Sequence, residues 1–164
     1  MRKLLIISTA MLMMPGTAFG AGYMKLGDIK GEATDSAHKD WIIIESMSTG
    51  LSQPGGSATG QSRRRGSVVV EDMIVSRKVS AASPILAQAA ASGKVFPKVE
   101  MEVKSGNVLY NVTLENATIS TYQVSGDADE VPTEEVSFNY KKITWTYSGP
   151  SGKSSQGWDF ATGR

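Results

Sequence analysis

Residues 108–122 read VLYNVTLENATISTY, and their alternation decides the fold. Val108, Tyr110, Val112 and Leu114 share one parity, while Ala117 and Ile119 share the other. Apolar residues recurring with period two mark a half-buried strand. A change of phase without a turn residue marks a β-bulge, which bends the strand and re-aims its apolar face. EEVSFNYKKITWTYS, residues 134–148, repeats the pattern: Val136, Phe138 and Tyr140 give way to Ile143, Trp145 and Tyr147. Long strands that bend are what a small closed barrel requires.

Further strands extend outward from these two. YMKL (residues 23–26), WIIIESMS (41–48), SVVVEDMIVSRKV (67–79) and KVEMEVK (98–104) are short and rich in β-branched or aromatic residues, or alternate. One helix interrupts them at SPILAQAAASG, residues 83–93. Ser83 is expected to cap its first turn, Pro84 suits the first helical position, and Gly93 supplies the stop. Ile85 and Leu86 are its large apolar anchors, so the helix should cover one side or end of a barrel.

The chain has 164 residues, enough for one domain. Basic and acidic residues number 17 and 16, a balance that gives no general pull toward nucleic acid or acidic lipid. The absence of cysteine excludes disulfides, thiol catalysis and thiolate metal sites. A single histidine, His38, excludes a multi-histidine zinc site. No cofactor is expected.

The first twenty residues, MRKLLIISTAMLMMPGTAFG, stand apart. Arg2 and Lys3 precede an uncharged apolar run, Pro15 and Gly16 break it, and Ala18 and Gly20 occupy the small-residue positions before a cut. This is the tripartite pattern of a secretory leader cleaved between Gly20 and Ala21. The run is too short to span a bilayer, which needs about twenty apolar residues, so no stable membrane insertion follows. The competing reading is a true start at Met24 or a nearby codon. Removal of Arg2 and Lys3 would leave 15 basic against 16 acidic residues.

Two segments read as loops. GLSQPGGSATGQSRRRGS, residues 50–67, is long for a compact domain, and such loops are usually functional or disordered. SGDADEVPTEE, residues 125–135, should be a solvated acidic turn. The tail, residues 149–164, is expected to be flexible except at Trp158 and Phe160, whose rings need burial.

The chemistry on offer is thin. His38, flanked by Asp35 and Asp40, could be combined with a serine into a hydrolase triad, but no G-x-S-x-G elbow presents one. The plainer reading is a polar residue in the connection before a strand. GPSGKSS lacks the phosphate-loop spacing, since Tyr147 stands where the first glycine belongs. DADE has too few ligands for a calcium loop. Arg63, Arg64 and Arg65 without interleaved aromatics are weak as a nucleic-acid site. They suit a protein contact better, because arginine forks bind carboxylates, and residues 127–135 of another copy are a complement.

Several segments together resemble one family. KGE followed by Asp35, His38 and Trp41, SPILAQAAASGKVFP (residues 83–97), and EEVSFNYKKITWTY (134–147) are similar, in this order, to the Hcp family. These are the haemolysin-coregulated tube proteins of the bacterial type VI secretion system. The resemblance implies a small β-barrel of two antiparallel sheets with one short helix on its side. It implies hexameric rings that stack head-to-tail into a tube carrying effectors in its lumen, with sheath, spike and effector proteins as partners. It also implies a ring-stacking loop, here residues 50–67, with Gln53, Ser62, Arg63, Arg64 and Arg65 as its contact residues. It carries no catalytic residues, so no enzyme is expected, and His38→Ala should change no enzymatic assay while weakening the fold or ring slightly. The leader departs from this pattern. A separately exported binding or effector protein on the same barrel, outside the tube, is therefore the alternative. Either way the destination is secretion, through the periplasm if the leader is used, with a cytoplasmic pool if it is not.

Overall fold

The computed structural model describes residues 21–53 and 68–164. In chain order these form β1 (Ala21–Leu26), β2 (Ile42–Ile44), β3 (Ser46–Ser48), β4 (Leu51–Ser52), β5 (Val69–Val70), β6 (Met73–Lys78), α1 (Ser83–Ser92), β7 (Val95–Ser105), β8 (Val108–Ser125), β9 (Thr133–Asn139), β10 (Lys142–Gly149) and β11 (Gly152–Asp159). The class is mainly β with one helix. Nine strands make one antiparallel sheet, in the order β2-β1-β7-β8-β9-β6-β3, with β10 added on β8 and β11 on β10. The short β4 and β5 form a second sheet of their own.

The ladder is not closed into a ring of hydrogen bonds. Its terminal strands, β2 and β3, are consecutive pieces of one chain run separated by Glu45. β2 pairs with β1, and after Glu45 donates its N–H to the Ser76 carbonyl at 2.9 Å, β3 pairs with β6. The shell thus returns on itself through the covalent chain. Inside it lie Met24, Leu26, Ile42, Val75, Val99, Met101, Leu114, Phe138 and Ile143, all buried. Their regular inward parity is the physical origin of the shell, because each strand hides one face from water.

β8 bends where its phase changes. Val112 and Leu114 are buried, Asn116 is exposed with φ +52°, and Ala117 and Ile119 are buried. Asparagine tolerates this left-handed backbone better than most residues. Opposite it, Pro97 falls between the paired Phe96↔Ala117 and Lys98↔Glu115, and proline has no N–H to give to a ladder. Before the bend β8 carries β10 as a neighbour, and after it β9. A second irregularity follows between Ile119 and Thr121. The matching change of phase falls at Lys141, between β9 and β10, whose N–H donates to the Glu115 carbonyl.

α1 packs on β8. Leu86 is fully buried, but Ile85 is 46% exposed, so only one of the two anchors enters the core. Ser83 does not cap the first turn. Ala82 is the N-cap, without a side-chain hydrogen bond, and Ser83 Oγ instead accepts from Ser80 N–H at 2.9 Å. Gly93 closes the helix in the left-handed conformation, as its sequence position implies. The tail is not flexible along residues 152–159. β11 pairs with β10 over its full length, across a two-residue turn at Pro150 and Ser151. Trp158 and Phe160 pack against the core, with Phe160 edge-on to Tyr140 at 5.7 Å. Among the described residues no helix is long and apolar enough to cross a membrane.

Candidate functional site

His38 lies in the connection between β1 and β2, where its backbone turns on the Asp35 side chain. Asp35 Oδ1 accepts from Ala37 N–H at 3.0 Å and bonds His38 Nδ1 at 2.9 Å. The other ring nitrogen, Nε2, lies 2.5 Å from Glu102 Oε1 on β7. The imidazole stacks on Tyr23 at 4.1 Å with planes 2° apart, and Trp41 meets it edge-on at 5.0 Å. The hydrogen bond from His38, with that from Ala37 N–H, holds the Asp35 carboxyl below its ordinary range. Asp40 is not a partner of His38. Its φ of +63° turns the chain toward β2, and its backbone exchanges hydrogen bonds with Gly31 and Ala33.

This geometry argues against nucleophilic catalysis. A triad histidine needs one nitrogen facing the nucleophile. Here both nitrogens face carboxylates, and neither is left to take a proton from Ser36 or any other hydroxyl. An open groove of about 790 Å³ is lined by the cluster itself, through Asp35, His38 and Glu102, together with Lys104 and Asn107. Among the described residues no group of three or more histidine, cysteine or acidic side chains could hold a metal ion.

The same connection is pinned at a second point. Glu32 Oε1 accepts from Arg77 Nη2 at 2.9 Å, and Arg77 also donates to Ser80 Oγ at 2.6 Å. Arg77 on β6 and Glu134 on β9 are both fully buried. Arg77 Nη1 stands 3.1 Å from Glu134 Oε1, yet the angle is unsuited to a hydrogen bond, so the contact is one of charge alone. Glu134 Oε2 accepts from the Tyr122 hydroxyl at 2.7 Å. Burial first, and then this carboxylate, pushes the Tyr122 phenol up to about 12. Glu134, which the sequence placed both in the acidic turn of 125–135 and in the strand segment of 134–148, belongs to the strand and sits in the core.

Neither Glu102 nor the Arg77–Glu134 pair was singled out from sequence. Glu102 lies 64 residues from His38, with nothing local to announce the contact. Arg77 did carry a signal: it shares the parity of Met73 and Val75, both buried. Glu134 likewise shares the parity of Val136 and Phe138.

The remaining candidate is the arm at residues 50–67. Leu51↔Val70 and Ser52↔Val69 pair, so the two flanks of this segment are held side by side. Glu71 N–H donates to the Gly50 carbonyl at 2.9 Å, and Thr49 Oγ1 bonds the Tyr140 hydroxyl at 3.1 Å, which fixes the root. Gln53 is exposed at its foot. Ser62, Arg63, Arg64 and Arg65 lie outside the described residues, as does Gly20 of the expected cut, while Ala21 falls in β1.

Known proteins resemble this chain in sequence and in backbone course. The family model for the type VI secretion system effector Hcp matches residues 23–147. The "Major exported protein" of Pseudomonas aeruginosa is 29% identical over 140 residues, covering 76% of this chain and 80% of that one. A solved type six secretion system protein is 29% identical, covers 88% of this chain and 98% of its own, and superposes with a TM-score of 0.78. Hcp1 from Salmonella typhimurium, at 22% identity, shares the fold with a TM-score of 0.72, covering 88% and 97%. Matched across most of its length in sequence and in backbone course, the chain belongs to the Hcp family of type VI secretion system effectors.

Proposed function

We propose that the chain is a structural subunit that assembles into hexameric rings, which stack head-to-tail into a type VI secretion tube with effectors in the lumen. Family membership over residues 23–147 carries this reading. The site chemistry supports it: His38 and Arg77 are engaged in pinning a loop to the shell, which suits a subunit that works through its surfaces. A ring generated by rotation joins two different faces of each subunit. Sheath, spike and effector proteins are its further partners, it acts on no nucleic acid, and it is secreted.

Stacking is assigned to the arm. Gln53, Ser62, Arg63, Arg64 and Arg65 contact the next ring, where the exposed Asp127, Asp129, Glu130 and Glu135 of another copy supply carboxylates. Each exposed pair contributes about 0–1 kcal/mol, so stacks should loosen with salt while rings persist. Sedimentation of the Arg63→Glu, Arg64→Glu, Arg65→Glu triple variant tests this. Intact rings without stacks are expected; unchanged stacks would remove the arm from the assembly.

A second reading rests on residues 1–20, whose leader pattern favours separate export of a binding or effector protein outside the tube. N-terminal sequencing of the protein from cytoplasm and culture fluid separates the two. Chains beginning at Ala21 and found only outside the cell would favour the second.

A further inference from the structure

The tip of the β1–β2 connection is joined to β7 by a side chain. The base of the tip is closed by its own backbone: Ala33 N–H donates to the Trp41 carbonyl and Asp40 N–H to the Ala33 carbonyl, each at 2.9 Å. Asp40, with φ +63°, marks where the tip folds back. Among the described residues, no backbone hydrogen bond ties residues 34–39 to β7. The link is His38, whose side chain is only 8% exposed and whose Nε2 lies 2.5 Å from Glu102 Oε1. Residues 35–38 line the groove from the tip, while β1, β7 and the start of β8 line it from the shell. The state of this link depends on protons. An ionised carboxylate only accepts, so hydrogen bonds at both ring nitrogens require hydrogen on both. A ring so protonated is a cation, which suits its seat between two carboxylates and flat on the Tyr23 ring. The titratable groups around it are Asp35 in its own connection, Tyr23 on β1, and Glu102 and Lys104 on β7. Loss of one proton leaves two carboxylates facing a neutral ring, one of them opposite a nitrogen lone pair. Asp35 moves with the tip, so the contact that parts is the one to Glu102.

We propose that His38 is a pH-sensitive latch: it carries both protons while the tip is docked, and giving one up as pH rises frees residues 34–39 from β7 and opens the groove. The proton goes to solvent, and no covalent bond of the backbone changes. Docking favours the protonated ring. The contribution of the latch is therefore complete at lower pH and is lost as pH rises through the titration of the ring. Asp35, held below its ordinary range by the same contact, stays a carboxylate over that interval. The backbone bonds at Ala33 and Asp40 do not involve the ring, so they remain as the hinge on which the tip swings.

His38 is the chain's only histidine, so isotope-labelled histidine in the full-length protein gives a single ring to follow by NMR. Spectra from about pH 5 to 10 bracket the interval in which histidine changes charge. Hydrogen exchange of peptides covering residues 33–41 is read by mass spectrometry on the same samples. It is expressed as protection factors, which divide out the pH dependence of exchange itself. If one proton holds the latch, protection of the tip should fall about tenfold per pH unit above the midpoint of the ring, while β7 keeps its own. His38→Gln, which cannot take up the proton, should abolish that slope. Tip protection that stays constant through the ring's titration would overturn the latch. So would a ring that is already neutral while the tip is still protected, since Glu102 would then hold the proton.

Discussion

Replacing Arg77 by alanine probes how the shell is held together. Arg77 and Glu134 are each 0% exposed, and the Arg77 guanidinium also reaches Glu32 and Ser80. The substitution leaves the Glu134 carboxylate buried with only the Tyr122 hydroxyl as a partner. Removing one member of a buried ion pair costs about 3–5 kcal/mol, because the survivor keeps its desolvation penalty without its counter-charge. A domain of this size has only about 5–15 kcal/mol in total. With a urea slope near 2 kcal/mol/M, the unfolding midpoint should fall by about 2 M, followed by tryptophan fluorescence. Arg77→Met combined with Glu134→Leu should lose less than Arg77→Met alone, since no buried carboxylate then stands unpaired. A loss under about 1 kcal/mol for Arg77→Ala, with an unchanged slope, would refute the claim that this pair ties β6 to β9 and the β1–β2 connection.

Three further outcomes follow from the same geometry. His38→Ala strands Glu102 and removes the Tyr23 stack, so it should cost about 1.5–3 kcal/mol, or roughly 4–8 °C in Tm by scanning calorimetry, and a variant as stable as the parent would contradict the pinned loop. A Cβ at Gly31 would collide with the Trp41 carbonyl oxygen and the Ile42 backbone, so Gly31→Ala should lose about 2 kcal/mol or more in urea unfolding, whereas a neutral result would mean that the connection is looser than described. The Tyr122 phenol is held near 12 against an ordinary 10.0, so the fold favours its protonated form; that contribution is complete below pH 10.0 and is lost as pH rises through about 12. Tyr122→Phe should therefore flatten the alkaline decline in stability over that interval, and an identical decline in both proteins would assign it to other groups.

Much of the shell was legible because its strands are half-buried. The phase change in residues 108–122 located the bend of β8 within a residue of Asn116, since inward parity cannot continue through a left-handed residue. The charged members of the core were harder to read. Arg77 is in phase with Met73 and Val75, but its charge suggests solvent unless Glu134 and Glu32 are known to meet it. β11 was missed for a different reason. GKSSQGWD has no apolar alternation, and it is a strand because the turn at Pro150 and Ser151 lays it along β10. Glu45 offered no warning either: it splits one apolar run into β2 and β3, and only the positions of β1 and β6 explain the split. At His38 the sequence supplied the flanking aspartates, of which Asp35 is a partner and Asp40 a backbone hinge. The decisive partner, Glu102, depended on how two distant strands align.

A subunit that works by joining copies of itself must form a ring in solution. Native mass spectrometry of the purified protein, across a range of concentrations, tests it most directly. The expected result is a dominant species of six times the 17.5 kDa chain mass, or six times that of the chain trimmed at Gly20, with annular particles in negative stain. A single-chain mass at every concentration, with no rings on the grid, would contradict it.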